Sequence, residues 1–129
     1  MAKMRLPEEE LEIMQIIWQL DGEVSTMQIM EGLKGKKSWR STTALNLLAR
    51  MVTRGFLTVR KMGNLNMYTA LVAEEDYLRT ESAYFLSRMH GNSLGSLLAS
   101  LREGGAVTPA EADGLKDLID MLAKEDSEK

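Results

Sequence analysis

The pattern of apolar and polar positions predicts a helical chain with one β-hairpin in its middle. Apolar residues recur at helical spacing from Leu11 to Trp18, behind Pro7 and a run of three glutamates. Proline suits the first helical position, and acidic side chains are favoured in a first turn. A second helix is predicted to open at Ser25, where Gln28 completes a capping box.

A third helix is predicted over about residues 41–54, with Gly55 as its left-handed C-cap. Residues 57–61 then alternate as a strand, "MGNLN" supplies turn residues, and residues 67–72 read as the return strand. Three helices followed by a hairpin is the element order of a winged helix-turn-helix. We therefore predict a mainly α fold with a small β-hairpin.

After Ala73 the pattern becomes purely helical, which divides the chain into a winged-helix domain at 1–73 and a helical domain at 74–129. The last two helices each carry an apolar stripe, but a unit below roughly 70–80 residues rarely buries enough surface alone. We therefore predict that this region forms a homodimer. The predicted dimerisation residues are Leu94, Leu97, Leu98, Leu101, Leu115, Leu118, Ile119 and Leu122.

The charged residues are distributed unevenly along the chain. The formal net charge is −3, yet no Asp or Glu occurs from Gly32 to Ala73. Residues 1–72 carry a net charge of +3 and residues 73–129 a net charge of −6. A local basic patch attracts polyanions whatever the overall charge, so double-stranded DNA is the predicted partner.

The outer face of the third helix is suited to DNA. Ala44, Leu48 and their neighbours form the apolar side, while small hydroxyl and amide groups lie opposite. Small polar side chains allow a helix to approach the major groove, and flanking arginines reach phosphates. The residues that this pattern assigns to DNA are Thr42, Thr43, Asn46, Arg50 and Arg54. Arg60 and Lys61 are added from the β-hairpin at residues 57–72, which is the wing of the predicted fold.

Composition excludes most other chemistry. With no cysteine and a single histidine, the chain lacks the parts for most catalytic and metal sites, so we expect no catalytic residue, metal or cofactor. There is no apolar run of 18 residues and no signal-peptide pattern, so we expect no membrane partner and a cytoplasmic setting. The protein is not predicted to be an enzyme.

Several motifs in order resemble the penicillinase-repressor family of bacteria, the BlaI/MecI type. "LPEEELEIMQIIW" is similar to the opening helix of that family, and "SWRSTTALNLLARMVTRGFL" to its recognition-helix segment. "MYTALV" resembles the return strand of the wing, and "FLSRMHGNSLGSLLASL" the start of the dimerisation region. The resemblance covers nearly the whole chain.

The resemblance implies a dimeric repressor on a palindromic operator, typically controlling β-lactamase or related resistance genes. It implies that Trp39 lies in or beside the DNA surface, as do Thr42, Thr43 and Arg50. Arg40 and Ser41 depart from the usual Ser-Pro-Lys of the family, which implies a different set of base contacts.

The resemblance also implies an inducing protease or sensor system, because in the family a receptor triggers cleavage at an Asn-Phe bond. No Asn-Phe pair occurs in this chain, which argues against that route. The absence of cysteine excludes the copper-sensing branch. The alternative function is a winged-helix module that binds protein and not DNA.

Overall fold

The computed structural model of the protein describes residues 5–35 and 39–127, which belong to two compact units, residues 1–82 and 83–129. The described chain is mostly helical with one small sheet, as predicted. In chain order the elements are α1 (Glu8–Leu20), β1 (Val24–Ser25), α2 (Thr26–Leu33), α3 (Ser41–Thr53), β2 (Leu57–Met62), β3 (Leu65–Ala70), α4 (Glu74–His90), α5 (Leu94–Glu103) and α6 (Pro109–Ser127).

The first two helices start as their sequences predict. Pro7 occupies the N-cap of α1, one position earlier than expected, and all three glutamates lie in the first turn. At α2 the capping box is complete, since the Ser25 hydroxyl accepts from the Gln28 amide and the Gln28 side chain accepts from the Ser25 amide. Gly32 permits a close approach of α2 to α1, because a Cβ there would lie 2.9 Å from the Ile16 side chain.

The sheet has one more strand than the hairpin that the sequence predicts. Its order is β1-β3-β2, and both pairings are antiparallel. Val24 pairs with Tyr68 of the central strand, and Tyr68 pairs with Val59 on its other side. Strand β1 contains only two residues, which is too short for an alternating pattern to reveal. It ties the segment between α1 and α2 to the wing.

The core of the first unit lies between its helices and the inner face of the sheet. The fully buried side chains include Phe56, Ile13 and Leu48. Trp18 packs at the core margin, where its indole N–H donates to the Val72 carbonyl at 2.8 Å. Burial of these large apolar side chains supplies the main stabilisation of the unit, at about 1.5–3 kcal/mol each.

The first unit extends past the domain boundary proposed from the sequence. Tyr77, in the first turn of α4, is buried and its ring lies 5.8 Å from that of Trp18. Its hydroxyl accepts a hydrogen bond from the Leu6 amide. The start of α4 therefore completes the core of the first unit, which ends at Ser82. The functional division at residue 73 stays a prediction.

The second unit comprises the rest of α4 with α5 and α6. Ser93 caps α5 and Thr108 caps α6, each accepting a hydrogen bond from an amide three residues later. The described side chains of α5 and α6 include no buried one. Nor do the described helices contain a segment long and apolar enough to cross a lipid bilayer.

Candidate nucleic-acid interface

Helix α3 has one face in the core and one in solvent. Ala44, Leu48 and Met51 are fully buried, which confirms the predicted apolar stripe. On the opposite side Thr42, Thr43, Asn46, Ala49 and Thr53 are exposed. This exposed face contains no carboxylate, because no Asp or Glu occurs in the helix. It therefore presents short polar groups on a surface that a second molecule can approach.

The start of α3 and the two residues before it place three more predicted residues beside this face. Trp39 is half-buried and packs against the core, so its ring supports the start of the helix. Arg40 occupies the N-cap position, makes no side-chain cap and is exposed, as is Ser41, the first helical residue. The N-terminal turn of α3 is therefore edged by a cation instead of a capping oxygen. Residues 36–38 lie outside the described part of the chain.

A buried carboxylate holds the C-terminal end of α3. Glu10 of α1 is fully buried, and its Oε1 lies 3.2 Å from Nη1 of Arg54. Its Oε2 lies 3.6 Å from Nη1 of Arg50, which is an ion-pair distance longer than a hydrogen bond. A buried charge is stable only when it is paired. Glu10 thus couples α1 to the end of α3.

The two arginines of this cluster differ in exposure. The Arg50 side chain is 60% exposed, whereas that of Arg54 is 20% exposed and also donates to the Arg5 carbonyl. Arg50 therefore keeps most of its guanidinium open to solvent. Two of the three guanidinium nitrogens of Arg54, Nη1 and Nη2, donate to acceptors inside the protein. Its assignment to the DNA surface stays a prediction.

On the wing, Arg60 is bound by a carboxylate that lies before β1. Its Nη2 donates to Oε1 of Glu23 at 2.7 Å, and its Nε donates to Oε2. These hydrogen bonds lower the pKa of Glu23 and raise that of Arg60, because they favour the charged form of each group. Both side chains are exposed, so the pair contributes little to folding stability.

Lys61 faces the opposite side of the hairpin from Arg60, because successive strand residues alternate faces. With Leu45, Ala49, Val59 and Arg60 it lines a groove of about 480 Å³ between α3 and the wing. Among the described residues no carboxylate lies within ion-pair distance of Lys61 or Arg40. Lys61 is thus available to an anion from outside, whereas Arg60, which lines the same groove, is paired with Glu23.

Some of the cations between Gly32 and Ala73, the stretch without Asp or Glu, are paired with carboxylates from other parts of the chain. Glu10 and Glu23 lie outside the stretch, yet their carboxylates reach arginines inside it. The sequence identifies Glu10 only as an acidic residue in the first turn of a helix and provides no signal for the role of Glu23. Neither contact leaves a periodic signal, since the partners are 44 and 37 residues apart.

The described residues contain no group of three or more His, Asp or Glu side chains that could hold a metal ion. His90 lies at the end of α4, where its Nδ1 is 2.9 Å from the Ser96 hydroxyl and its ring is 5.7 Å from that of Phe85. These contacts account for the histidine as part of the turn between α4 and α5.

The predicted dimerisation residues lie on α5 and α6 as expected and remain open in the single chain. Leu94, Leu118, Ile119 and Leu122 are between 44% and 55% exposed. The other four are half-buried: Leu97, Leu98, Leu101 and Leu115. Leaving several large apolar side chains in water is unfavourable, which makes these helices candidates for association.

Known proteins are similar to this chain in sequence and in fold. The sequence profile of the penicillinase repressor family matches residues 6–121. A penicillinase repressor of Bacillus licheniformis is 26% identical over 116 residues, which are 90% of each chain. The methicillin resistance regulatory protein MecI of Staphylococcus aureus strain N315 is 26% identical over 110 residues, covering 85% of this chain and 89% of its own.

Two solved structures resemble part of this chain. The DNA-binding domain of the repressor BlaI matches with a TM-score of 0.52 and 28% identity, over 59% of this chain and 92% of that one. The monomeric form of Bacillus licheniformis BlaI, solved in complex with the blaP half-operator, matches with a TM-score of 0.50 over the same shares. With most of its length matched by the family profile, this chain belongs to the penicillinase repressor family.

Proposed function

We propose that this protein is a DNA-binding transcriptional repressor of β-lactamase or related resistance genes, acting as a homodimer on a palindromic operator. Its family is one of transcriptional repressors, and its relatives include a penicillinase repressor and a methicillin resistance regulator. The observation that carries the proposal is the exposed, carboxylate-free face of α3 within a winged helix. An enzymatic role is not proposed.

The exposed face of α3 supplies the base contacts in this proposal. Thr42, Thr43 and Asn46 are exposed and short, so the helix backbone can lie deep in a major groove. An asparagine amide can bond an adenine edge in two places, and a threonine offers both a hydroxyl and a methyl group to a base edge. A carboxylate on this face would repel the phosphates on either side, and none is present.

The phosphate contacts come from cations that surround this face. Arg40 lies before the helix, Arg50 on its flank and Lys61 across the groove on the wing, and each is exposed. Trp39 and Ser41 belong to the proposed surface through their place beside the start of the helix. The sequence also assigns Arg54 and Arg60 to this surface, but each already has a carboxylate partner, so neither is proposed as a phosphate contact in the unsubstituted protein. Phosphate contacts position a protein on the duplex but carry no sequence information.

The second unit supports association into a dimer. Its exposed leucines would be removed from water by a second copy, and a two-fold dimer would present two α3 helices to two half-sites. Linking two weak binding units raises affinity by roughly 10²–10⁴ without new base contacts. Since the chain has no Asn-Phe pair, we do not propose induction by cleavage at such a bond.

The proposal is tested on a duplex selected by the full-length protein from a random-sequence pool, with a scrambled duplex of equal length as comparison. We expect dissociation constants of about 10⁻⁸ M or lower for the selected duplex and a steep loss of affinity with salt. Asn46→Ala should cost about 1–3 kcal/mol on the selected duplex and much less on the scrambled one.

Lys61→Ala is the matched comparison for a phosphate contact. It should weaken binding to both duplexes alike and reduce the salt slope by about one. Equal losses for Asn46→Ala on both duplexes would assign that residue to the phosphate backbone. If the protein shows no salt-dependent binding to any duplex, the repressor function is wrong and a protein-binding winged helix takes its place.

A further inference from the structure

We propose that Glu23 competes with DNA phosphates for Arg60. The wing then contacts phosphates through Lys61 alone, and the affinity of the protein for DNA is lower than it would be without the Glu23 carboxylate. This inference rests on the proposed DNA-binding function. It concerns a carboxylate outside the recognition helix that no motif of the sequence identifies.

The contact between Glu23 and Arg60 is two-pronged and crosses the sheet. Both carboxylate oxygens accept from the guanidinium, one from Nε and one from Nη2. Glu23 immediately precedes β1, whereas Arg60 lies on β2 at the other side of the central strand. The Met62 sulfur lies 3.8 Å from the same Nη2. Two of the three guanidinium nitrogens are therefore occupied within the protein.

This pairing has the geometry that a phosphate would otherwise use. Arginine binds carboxylates and phosphates through the same pair of parallel N–H donors. A phosphate that approached Arg60 would have to displace an anion already in place, so one ion pair would be exchanged for another. The Arg60 side chain is 56% exposed, so burial does not keep a phosphate away from the guanidinium. The Glu23 carboxylate is the group that competes with the phosphate.

The salt dependence of binding distinguishes the two wing cations. Each cation that neutralises a phosphate contributes about 0.9 to the slope of log affinity against log salt, because counterions leave the duplex. Lys61 has no ion-pair partner among the described residues and should contribute in full. Arg60 is neutralised by Glu23 and should contribute almost nothing until that carboxylate is removed.

The test measures salt slopes for the full-length protein and its variants on the selected and the scrambled duplex. Glu23→Gln should steepen the slope by about 0.9 and raise affinity several-fold, by the same factor on both duplexes, as a phosphate contact requires. Arg60→Gln alone should leave the slope unchanged. Arg60→Gln combined with Glu23→Gln should cancel the gain, whereas Lys61→Gln should lower the slope by about one in either background.

Asp76→Asn is the matched control. It removes the same charge and likewise frees an arginine, Arg79, from an exposed ion pair, but on α4 instead of the wing. If Glu23→Gln behaves like Asp76→Asn, the inference is wrong. It is also wrong if Arg60→Gln alone lowers the slope as Lys61→Gln does, because Arg60 would then leave Glu23 for the duplex.

A purely structural role for the pair gives a different result. If Glu23 only anchors the wing, Glu23→Gln and Arg60→Gln should both weaken DNA binding, which would overturn the inference. These outcomes require that the unsubstituted protein binds DNA with a measurable salt slope. Absence of that binding removes the proposed function and the inference with it, whereas binding without a Glu23→Gln effect removes the inference only.

Discussion

The two units of the chain use similar apolar stripes with opposite results. In the first unit, Ile13, Leu48 and Met51 are fully buried by neighbouring elements of the same chain. In the second, Leu118 and Leu122 occupy an equally regular stripe and are more than half exposed. Helical periodicity therefore shows which face of a helix needs a partner. It does not show whether that partner is in the same chain.

The difference follows from what each unit can pack against. The first unit has three helices, a sheet and the start of α4, so its helices face apolar surface on several sides. The second unit contains 47 residues, a size at which a single chain rarely buries enough apolar surface to be stable. The expected distinction is a self-sufficient first unit and a second unit that depends on another copy.

The most severe test of this distinction removes the second unit by ending the chain after Ser82. Because Tyr77 is kept, the shortened chain should stay folded, and it should be monomeric. Operator affinity should fall by roughly 10²–10⁴, the gain expected from linking two sites. Sedimentation equilibrium and DNA titration measure the two properties. A dimeric fragment would place the association surface in the first unit.

A chain that ends after Val72 is the informative comparison for this truncation. It removes Tyr77, whose ring packs near Trp18 and Phe56 and whose hydroxyl binds the Leu6 amide. This shorter fragment should melt at a lower temperature than the fragment ending at Ser82. Equal melting temperatures would show that α4 contributes nothing to the core of the first unit.

The second prediction places one charge in the apolar stripe of α6. Leu118→Glu should make the full-length protein monomeric at micromolar concentration, because a carboxylate buried in an apolar dimer interface would lose its hydration. Lys116→Gln changes the net charge equally on the same helix and should leave the dimer intact. Sedimentation equilibrium decides between the two outcomes. An unsubstituted chain that is already monomeric at that concentration would contradict the dimer itself.

The third prediction separates the two arginines that contact Glu10. Arg54→Gln should lower the free energy of unfolding by roughly 3 kcal/mol, because it removes the closer partner of a buried carboxylate. Arg50→Gln should cost less than about 1 kcal/mol, since its pair is longer and largely exposed. Arg50→Gln should instead reduce the salt slope of DNA binding. Urea denaturation and DNA titration of both variants measure these effects. If Arg50→Gln destabilised the protein more and Arg54→Gln reduced the salt slope more, Arg50 would be the main partner of Glu10 and Arg54 the DNA contact.

The smallest predicted effect concerns one hydrogen bond in the first unit. Tyr77→Phe keeps the ring but leaves the buried Leu6 amide without its acceptor, at a cost of about 1–2 kcal/mol. Tyr84→Phe removes a hydroxyl from a residue of α4 that is 47% exposed, where water can replace a lost hydrogen bond, so it should cost less than about 0.5 kcal/mol. Thermal unfolding followed by circular dichroism compares them. Equal stability of the two variants would show that the hydrogen bond from the Leu6 amide to the Tyr77 hydroxyl contributes nothing to stability.

Much of the fold could be predicted because its signals are local. The capping box at Ser25 and Gln28, the end of α3 before Gly55, and the place of strand β2 each depend on residues a few positions apart. The buried and exposed faces of α3 also followed from its spacing. Strand β1 was missed, because two residues carry no detectable period and the strand exists only through its pairing with β3.

The candidate site was predicted in part for the same reason. The exposed face of α3 is a property of one helix, so Thr42 and Asn46 could be placed from the sequence. The state of the arginines was not predictable, because it depends on carboxylates from distant segments. Composition suggested a set of equivalent cations, whereas Arg54 and Arg60 are already paired and Lys61 has no carboxylate partner among the described residues.

The sequence by itself determined the helices, the hairpin, the apolar faces and the family of this protein, since these depend on neighbouring residues and on their order. Only the tertiary structure decided which cations face outward, because Glu10 and Glu23 reach their arginines across the fold. Tertiary packing likewise assigned Tyr77 to the core of the first unit. Charge and burial at a given position depend on everything that surrounds it in space, and that environment is assembled from segments far apart in the chain.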